Sequence, residues 1–170
     1  MVSEQKNKIF TAKSMAYSGL LAALLVGGKY ALSFIPNVEI VSALIVLTSV
    51  FMGLNVSLPA VIVFCVADNF VYGFYPTVLI QYLIHWPALA ISSYLVSRKS
   101  KELFRLIVVN FILSITFWIG TPVINVIFKF SLFWPTVVSG IPFFIAQAVS
   151  SLAFLIALYK PFEALSRRMV

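Results

Sequence analysis

Residues 97–105 read SRKSKELFR. Arg98, Lys99, Lys101 and Arg105 crowd this short segment, and long apolar runs flank it on both sides. The side of a bilayer on which it lies decides how often the chain crosses. Lysine and arginine in short loops mark the cytoplasmic face, because positive charge resists translocation. Two more basic groups exist: Lys6, Lys8 and Lys13 near the start, and Lys160, Arg167 and Arg168 near the end. Apolar runs fall at about 10–34, 40–53, 57–73, 76–97, 104–127 and 136–159. Six crossings put all three basic groups on one face. Fusing the second and third runs across Gly53–Pro59 gives five crossings and strands SRKSKELFR on the far side. The expectation is therefore six spans, with both termini cytoplasmic.

Composition demands a membrane. Of 170 residues, 62% are hydrophobic and 10% charged, whereas soluble domains carry about 25% charged residues. The mean hydropathy is +1.06. The runs are too long for barrel strands, which alternate over about 10 residues. The expected architecture is an all-α integral membrane protein, a compact bundle of six transmembrane helices forming one domain over residues 1–170. The net charge of +7 then reports topology and contact with anionic lipid, with no nucleic-acid partner implied. The basic start and first apolar run outlast a signal-peptide core and lack an A-x-A exit, so they are expected to be a retained first helix.

Ionisable and amide side chains at membrane depth are costly unless they face protein or water, and so they guide the search for a site. Six-span geometry sets Lys29 about a turn below the outer end of span one. Pro36-Asn37-Val38-Glu39 forms the corner before span two, and the apolar run to residue 34 leaves only a very short link there. Asp68 and Asn69, with Tyr72 close by, lie near the outer end of span three. Gln81 and His85 are four apart on span four, hence on one face, with Trp86 beside them. Asn125 and Lys129 end span five, Trp118 lies about two turns deeper, and Gln147 is midway down span six. Each alone is explained by interhelical hydrogen bonding, or by snorkelling for the lysines. Together they favour the outer half, which points to an outward-facing cavity with apolar walls and a few placed polar groups.

Span one carries small residues, Ala12, Ala16, Gly19, Ala23 and Gly27, at spacings of three and four. Such a stripe admits close approach of another helix, either inside the bundle or from a separate protein. Other chemistry finds no support. Gly27-Gly28-Lys29-Tyr30 lacks the first glycine and closing Ser/Thr of a phosphate-binding loop, and neither H-E-x-x-H nor G-x-S-x-G occurs. One histidine and one cysteine, Cys65, make neither a metal site nor a disulfide framework. No internal repeat of the secondary-transporter kind is evident.

These features resemble the substrate-binding S component of energy-coupling factor (ECF) vitamin transporters. The resemblance runs over nearly the whole chain. It rests on the small-residue helix MAYSGLLAALLVGGKYAL (15–32), on FIPNVEIVSALIVLTSVFMG (34–53), and on DNFVYGFYPTVLIQYLIHW (68–86). It implies a multi-pass protein of a bacterial plasma membrane that captures a vitamin and has no catalytic activity. It implies partnership with a transmembrane coupling subunit, docked on the face of Ala12, Ala16, Gly19 and Ala23, and with two ATPase subunits that consume ATP. No intrinsic cofactor or metal is implied. The substrate would sit near the outer face among Asn37, Glu39, Asp68, Asn69, Tyr72, Gln81, His85, Trp118, Asn125 and Gln147. The IPN corner is similar to that of cobalamin-associated members, and pantothenate, riboflavin and folate are the alternatives. Two other classes stay open: an intramembrane lipid-modifying enzyme, for which Asp68 is the only well-placed acid, and a stand-alone membrane carrier.

Overall fold

The structure, a computed structural model, describes residues 11–169, with side chains described as far as Arg167. Lys6 and Lys8 lie outside the described residues. Six helices follow one another: α1 (Ala12–Ala31), α2 (Val41–Phe51), α3 (Leu54–Tyr72), α4 (Pro76–Ser97), α5 (Leu103–Ile127) and α6 (Phe133–Met169). Four of them, α3 to α6, are long and apolar enough to cross a membrane. The α1 helix has spanning length but is less apolar, with Lys13 and Lys29 near its ends. The α2 helix is apolar but only 11 residues long, a rise of about 16 Å.

Local chemistry explains the ends. A capping box opens α1: the Thr11 hydroxyl accepts from the Ser14 N–H, and the Ser14 hydroxyl accepts from the Thr11 N–H. The helix stops at Ala31, short of the expected 34, and the next begins only at Val41. Pro36 disfavours helical backbone in the residue before it, and Asn37 turns the chain in the left-handed region at φ 58°. The link between the first two helices thus spans residues 32–40, and the expectation of a very short corner is corrected. Gly53, at φ 85°, separates α2 from α3 in a conformation that favours glycine. Pro76 starts α4 at a position where its missing N–H costs nothing. The sixth helix runs ten residues beyond the expected 159.

Side-chain contacts give each helix its direction. Ser18 bonds the Val56 carbonyl and Lys29 bonds Asp68, so α1 and α3 run parallel. Glu39 meets Gln147 and Phe51 meets Tyr159, so α2 runs parallel to α6. Asn110 meets Ser151 and Trp118 meets Val137, making α5 antiparallel to α6. Phe64 against Trp86, and Asn69 against Tyr75, set α3 antiparallel to α4. The Tyr159 hydroxyl donates to the Lys101 carbonyl, bringing that part of α6 to the link between α4 and α5. Odd helices therefore run one way and even helices the other. The chain reverses at Met52–Gly53, and α2 and α3 are not one bent helix. The α1 start, the SRKSKELFR link and the far part of α6 share one end, here called the lower end.

The centre of the bundle is α2. It touches all five other helices, while α1, α3, α4, α5 and α6 follow one another around it. Every residue from Val41 to Val50 is buried, and around them pack Leu25, Phe64, Leu89, Leu106 and Leu155. The outer faces carry exposed Leu20, Leu95, Ile112 and Val149, a surface suited to lipid rather than water. Glu39, just before α2, meets Gln147, which lies about 20 Å along α6 from its start. The central helix thus begins at mid-depth. Above it the axis of the bundle holds only the descending link 32–40.

Candidate functional site

Because α2 stops short, two adjoining cavities occupy the upper half of the bundle. The larger, about 430 Å³, lies between α4, α5 and α6, with walls that include Gln81, Phe117, Trp118, Thr121, Gly140 and Phe144. The smaller, about 230 Å³, lies beneath the link and is bounded by Lys29, Glu39, Tyr72, Tyr82 and Trp86. Asn37, Tyr82, Phe117 and Gln147 line both. Non-helical backbone at such depth is tolerated where it lines a cavity, and residues 35–39 do so.

Aromatic rings build a large part of the wall. Trp118 stacks on Phe144 with ring centres 5.0 Å apart, and its indole N–H donates to the Val137 carbonyl at 3.2 Å. Gly140 lets the two helices approach closely there, since a Cβ would lie 3.0 Å from the Trp118 indole nitrogen and the ring would have to give way. Tyr82, Trp86 and Phe117 form a second group, with Phe117 stacked on Trp86 at 5.6 Å. Gln81 fixes the seam between α4 and α5. Its amide donates to the Phe117 carbonyl at 2.9 Å and to the Thr121 hydroxyl at 2.6 Å. Both N–H groups are used, while its carbonyl makes no protein hydrogen bond among the described residues.

The ionisable groups gather around the smaller cavity. Lys29 donates to Asp68 at 2.6 Å and to the Tyr82 hydroxyl at 2.8 Å. Its ammonium also lies over the rings of Tyr82 and Tyr72, at 4.8 and 5.1 Å, a favourable cation–π geometry. The Asp68 side chain is 4% exposed and that of Lys29 25%, so the carboxylate is buried while its partner borders the cavity. Glu39 is held differently. Its Oε1 accepts from the Ser42 hydroxyl at 2.5 Å and from the Gln147 amide at 3.3 Å. Its backbone N–H donates to the Ser150 hydroxyl.

The expected site residues separate into two sets. Asn37, Glu39, Tyr72, Gln81, Trp118 and Gln147 come together on the cavity walls. Asp68, Asn69, His85 and Asn125 do not line either cavity. Asp68 acts through Lys29. Asn69 is spent on the corner between α3 and α4, donating to the Cys65 carbonyl and accepting from the Tyr75 N–H. His85 is buried between the rings of Trp86 and Phe117, at 4.5 and 4.7 Å, and borders a 130 Å³ groove between α4 and α5 that shares Gln81 and Phe117 with the larger cavity. Asn125 sits near the end of α5, where its backbone carbonyl accepts the Phe130 N–H. Gln81 and His85 share a helix face as expected, yet the adjacent face of Tyr82 and Trp86 is the one that reaches Lys29 and shares the smaller cavity with Glu39.

Tyr82, Phe117, Thr121, Gly140 and Phe144 were not singled out by sequence reasoning. All sit inside apolar runs, where an aromatic residue reads equally as lipid-facing. The spacing of Phe117 and Thr121, four apart like Gln81 and His85, was the available signal. The small stripe of α1 behaves simply: Ala12, Ala16, Gly19, Ala23 and Gly27 are all exposed, while Ser18, Leu21, Ala22 and Leu25 face the bundle. Comparison with protein-family models, with curated proteins and with solved structures finds no match to this chain.

Proposed function

We propose that this chain is the solute-capturing membrane subunit of an ATP-driven vitamin importer, of the S-component kind that its sequence resembles. The observation that carries this reading is the hollow above α2. It is a membrane-depth cavity walled by aromatic rings, with Asn37, Gln81, Glu39 and Gln147 as its placed polar groups. Small-molecule sites have this composition and size. In this reading all six helices traverse a bacterial plasma membrane, and the lower end, with Lys13, Arg98, Lys99, Lys101, Arg105 and Lys160, is cytoplasmic. The cavities then open to the exterior.

The exposed stripe of α1 is the docking face for a coupling subunit, and two ATPase subunits supply the energy. The chain itself binds and releases; it performs no bond chemistry. Either cavity suits a compact vitamin. A corrinoid exceeds both, so cobalamin would have to rest across the open end with only part of it inside.

The test is uptake in proteoliposomes. With coupling and ATPase subunits present, ATP should drive accumulation of the vitamin that co-purifies with the chain. Gly19→Leu should abolish uptake and assembly while leaving binding intact. Solute movement by the chain alone would favour a stand-alone carrier and sink the subunit reading.

A further inference from the structure

The three ionisable side chains around the smaller cavity do not balance. Lys29 and Asp68 cancel each other as a pair at 2.6 Å. Glu39 has no cation within ion-pair distance among the described residues, where the ion pairs are Lys29–Asp68, Glu102–Arg105 and Glu163–Arg167. Its two side-chain donors are a neutral hydroxyl and a neutral amide, both on Oε1, which leaves Oε2 without a protein donor. The start of α2 offers only the partial positive charge of a helix end. An ionised carboxylate at this depth needs a stronger partner.

A second, independent feature points the same way. Tyr72, Tyr82, Trp86 and Phe117 line the same 230 Å³ cavity as Glu39. The π-faces of such rings attract positive charge, as they already do for the Lys29 ammonium. The cavity therefore offers one free carboxylate oxygen and aromatic rings.

We infer that the smaller cavity selects solutes by charge and takes the positively charged head of an organic cation, with Glu39 as its counter-ion and the four rings as its walls. The inference rests on the capture reading above and narrows it. An anionic solute would meet Glu39, while Lys29, the cation of this cavity among the described residues, is already matched by Asp68. The larger cavity next to it, reached past Asn37 and Gln147, receives the neutral remainder of the molecule.

The experiment uses the full chain in lipid nanodiscs and three probes of differing charge: thiamine, a permanent cation; riboflavin, neutral; and pantothenate, an anion. In parallel, the molecule that co-purifies from cells on rich medium is released, identified and its charge measured. The expected result is a cationic co-purifying molecule, with thiamine the only probe that competes with it. Glu39→Gln should weaken binding of that cation by about 10- to 100-fold, as befits loss of a charge-assisted hydrogen bond. Unchanged thermal unfolding of Glu39→Gln would show that its fold is kept. If that variant unfolds, Glu39→Asp, which keeps the charge on a shorter arm, should regain most of the binding. A neutral or anionic co-purifying molecule, or binding indifferent to Glu39→Gln, overturns the inference and leaves the capture reading standing. No retained molecule and no probe binding would overturn both.

Discussion

The two halves of the bundle use the same five outer helices and differ in what fills the middle. Below, α2 occupies the axis, with Val41 to Val50 buried without exception. Above, the chain descends as an irregular link, and the space it leaves is lined by Lys29, Asn37, Glu39, Gln81 and Gln147. The lower half is a solid core held by apolar packing. The upper half is a walled hollow held by a few polar anchors. The lesson is that a cavity can be made by shortening one central helix.

That contrast can be broken from either side. The largest effect is expected where the upper half depends on the partner of one buried carboxylate, Asp68. Lys29→Met strands Asp68 and should cost about 3–5 kcal/mol of stability, measured by chemical unfolding in mixed micelles. The double variant Lys29→Met/Asp68→Asn should recover most of it. In the lower half Leu47, fully buried, packs inside the ring of helices. Leu47→Ala should cost about 2–4 kcal/mol through lost burial and a residual void, and the folded fraction should bind solute with unchanged affinity.

Smaller changes sharpen the boundary between the halves. Gly140→Leu pushes into the Trp118 indole and should weaken solute binding about 30-fold, or about 2 kcal/mol, with little change in unfolding. Asn69→Ala removes the corner bonds to Cys65 and Tyr75 and should cost about 1 kcal/mol of stability. Its solute affinity, by titration calorimetry, should stay within about twofold of the parent, a difference of about 0.4 kcal/mol. A large affinity loss in Asn69→Ala would mean that the α3–α4 corner belongs to the site after all.

Much of this division was legible in the residues. The apolar runs located six helices, and α4 appeared at its expected 76–97. The basic clusters of SRKSKELFR and of residue Lys160 do share one end with the start of α1. The shortness of the second run was visible too, since Pro36, Asn37 and Glu39 hold its start back to residue 40. Its consequence was not. Hydropathy reports how apolar a segment is, and nothing in it says that α2 lies at the centre, where a missing turn becomes a cavity.

The site was half legible for a related reason. Polar side chains in a membrane stand out, so Asn37, Glu39, Gln81 and Gln147 could be picked. Where a polar group ends up is decided by packing, and so Asn69, spent on the α3–α4 corner, and His85 and Asn125 lie off the walls of the two cavities. Trp86 was noticed only as a neighbour of His85, while Tyr82, Phe117 and Phe144 were invisible as wall residues because lipid-facing positions take the same side chains. Gly140 marks a close approach that only the partner, Trp118, explains.

The central claim is that the axis is hollow above α2 and solid along it. Thiol labelling tests this directly, with Val78→Cys on the larger cavity wall and Ser49→Cys in the buried face of α2, each in a Cys65→Ala background. A water-soluble, membrane-impermeant reagent added from the side of the cavity should modify Val78→Cys, and bound solute should block that reaction. Ser49→Cys should stay silent until the protein is unfolded. Equal reactivity at the two positions, or a Val78→Cys that reacts no differently with solute bound, would contradict the account.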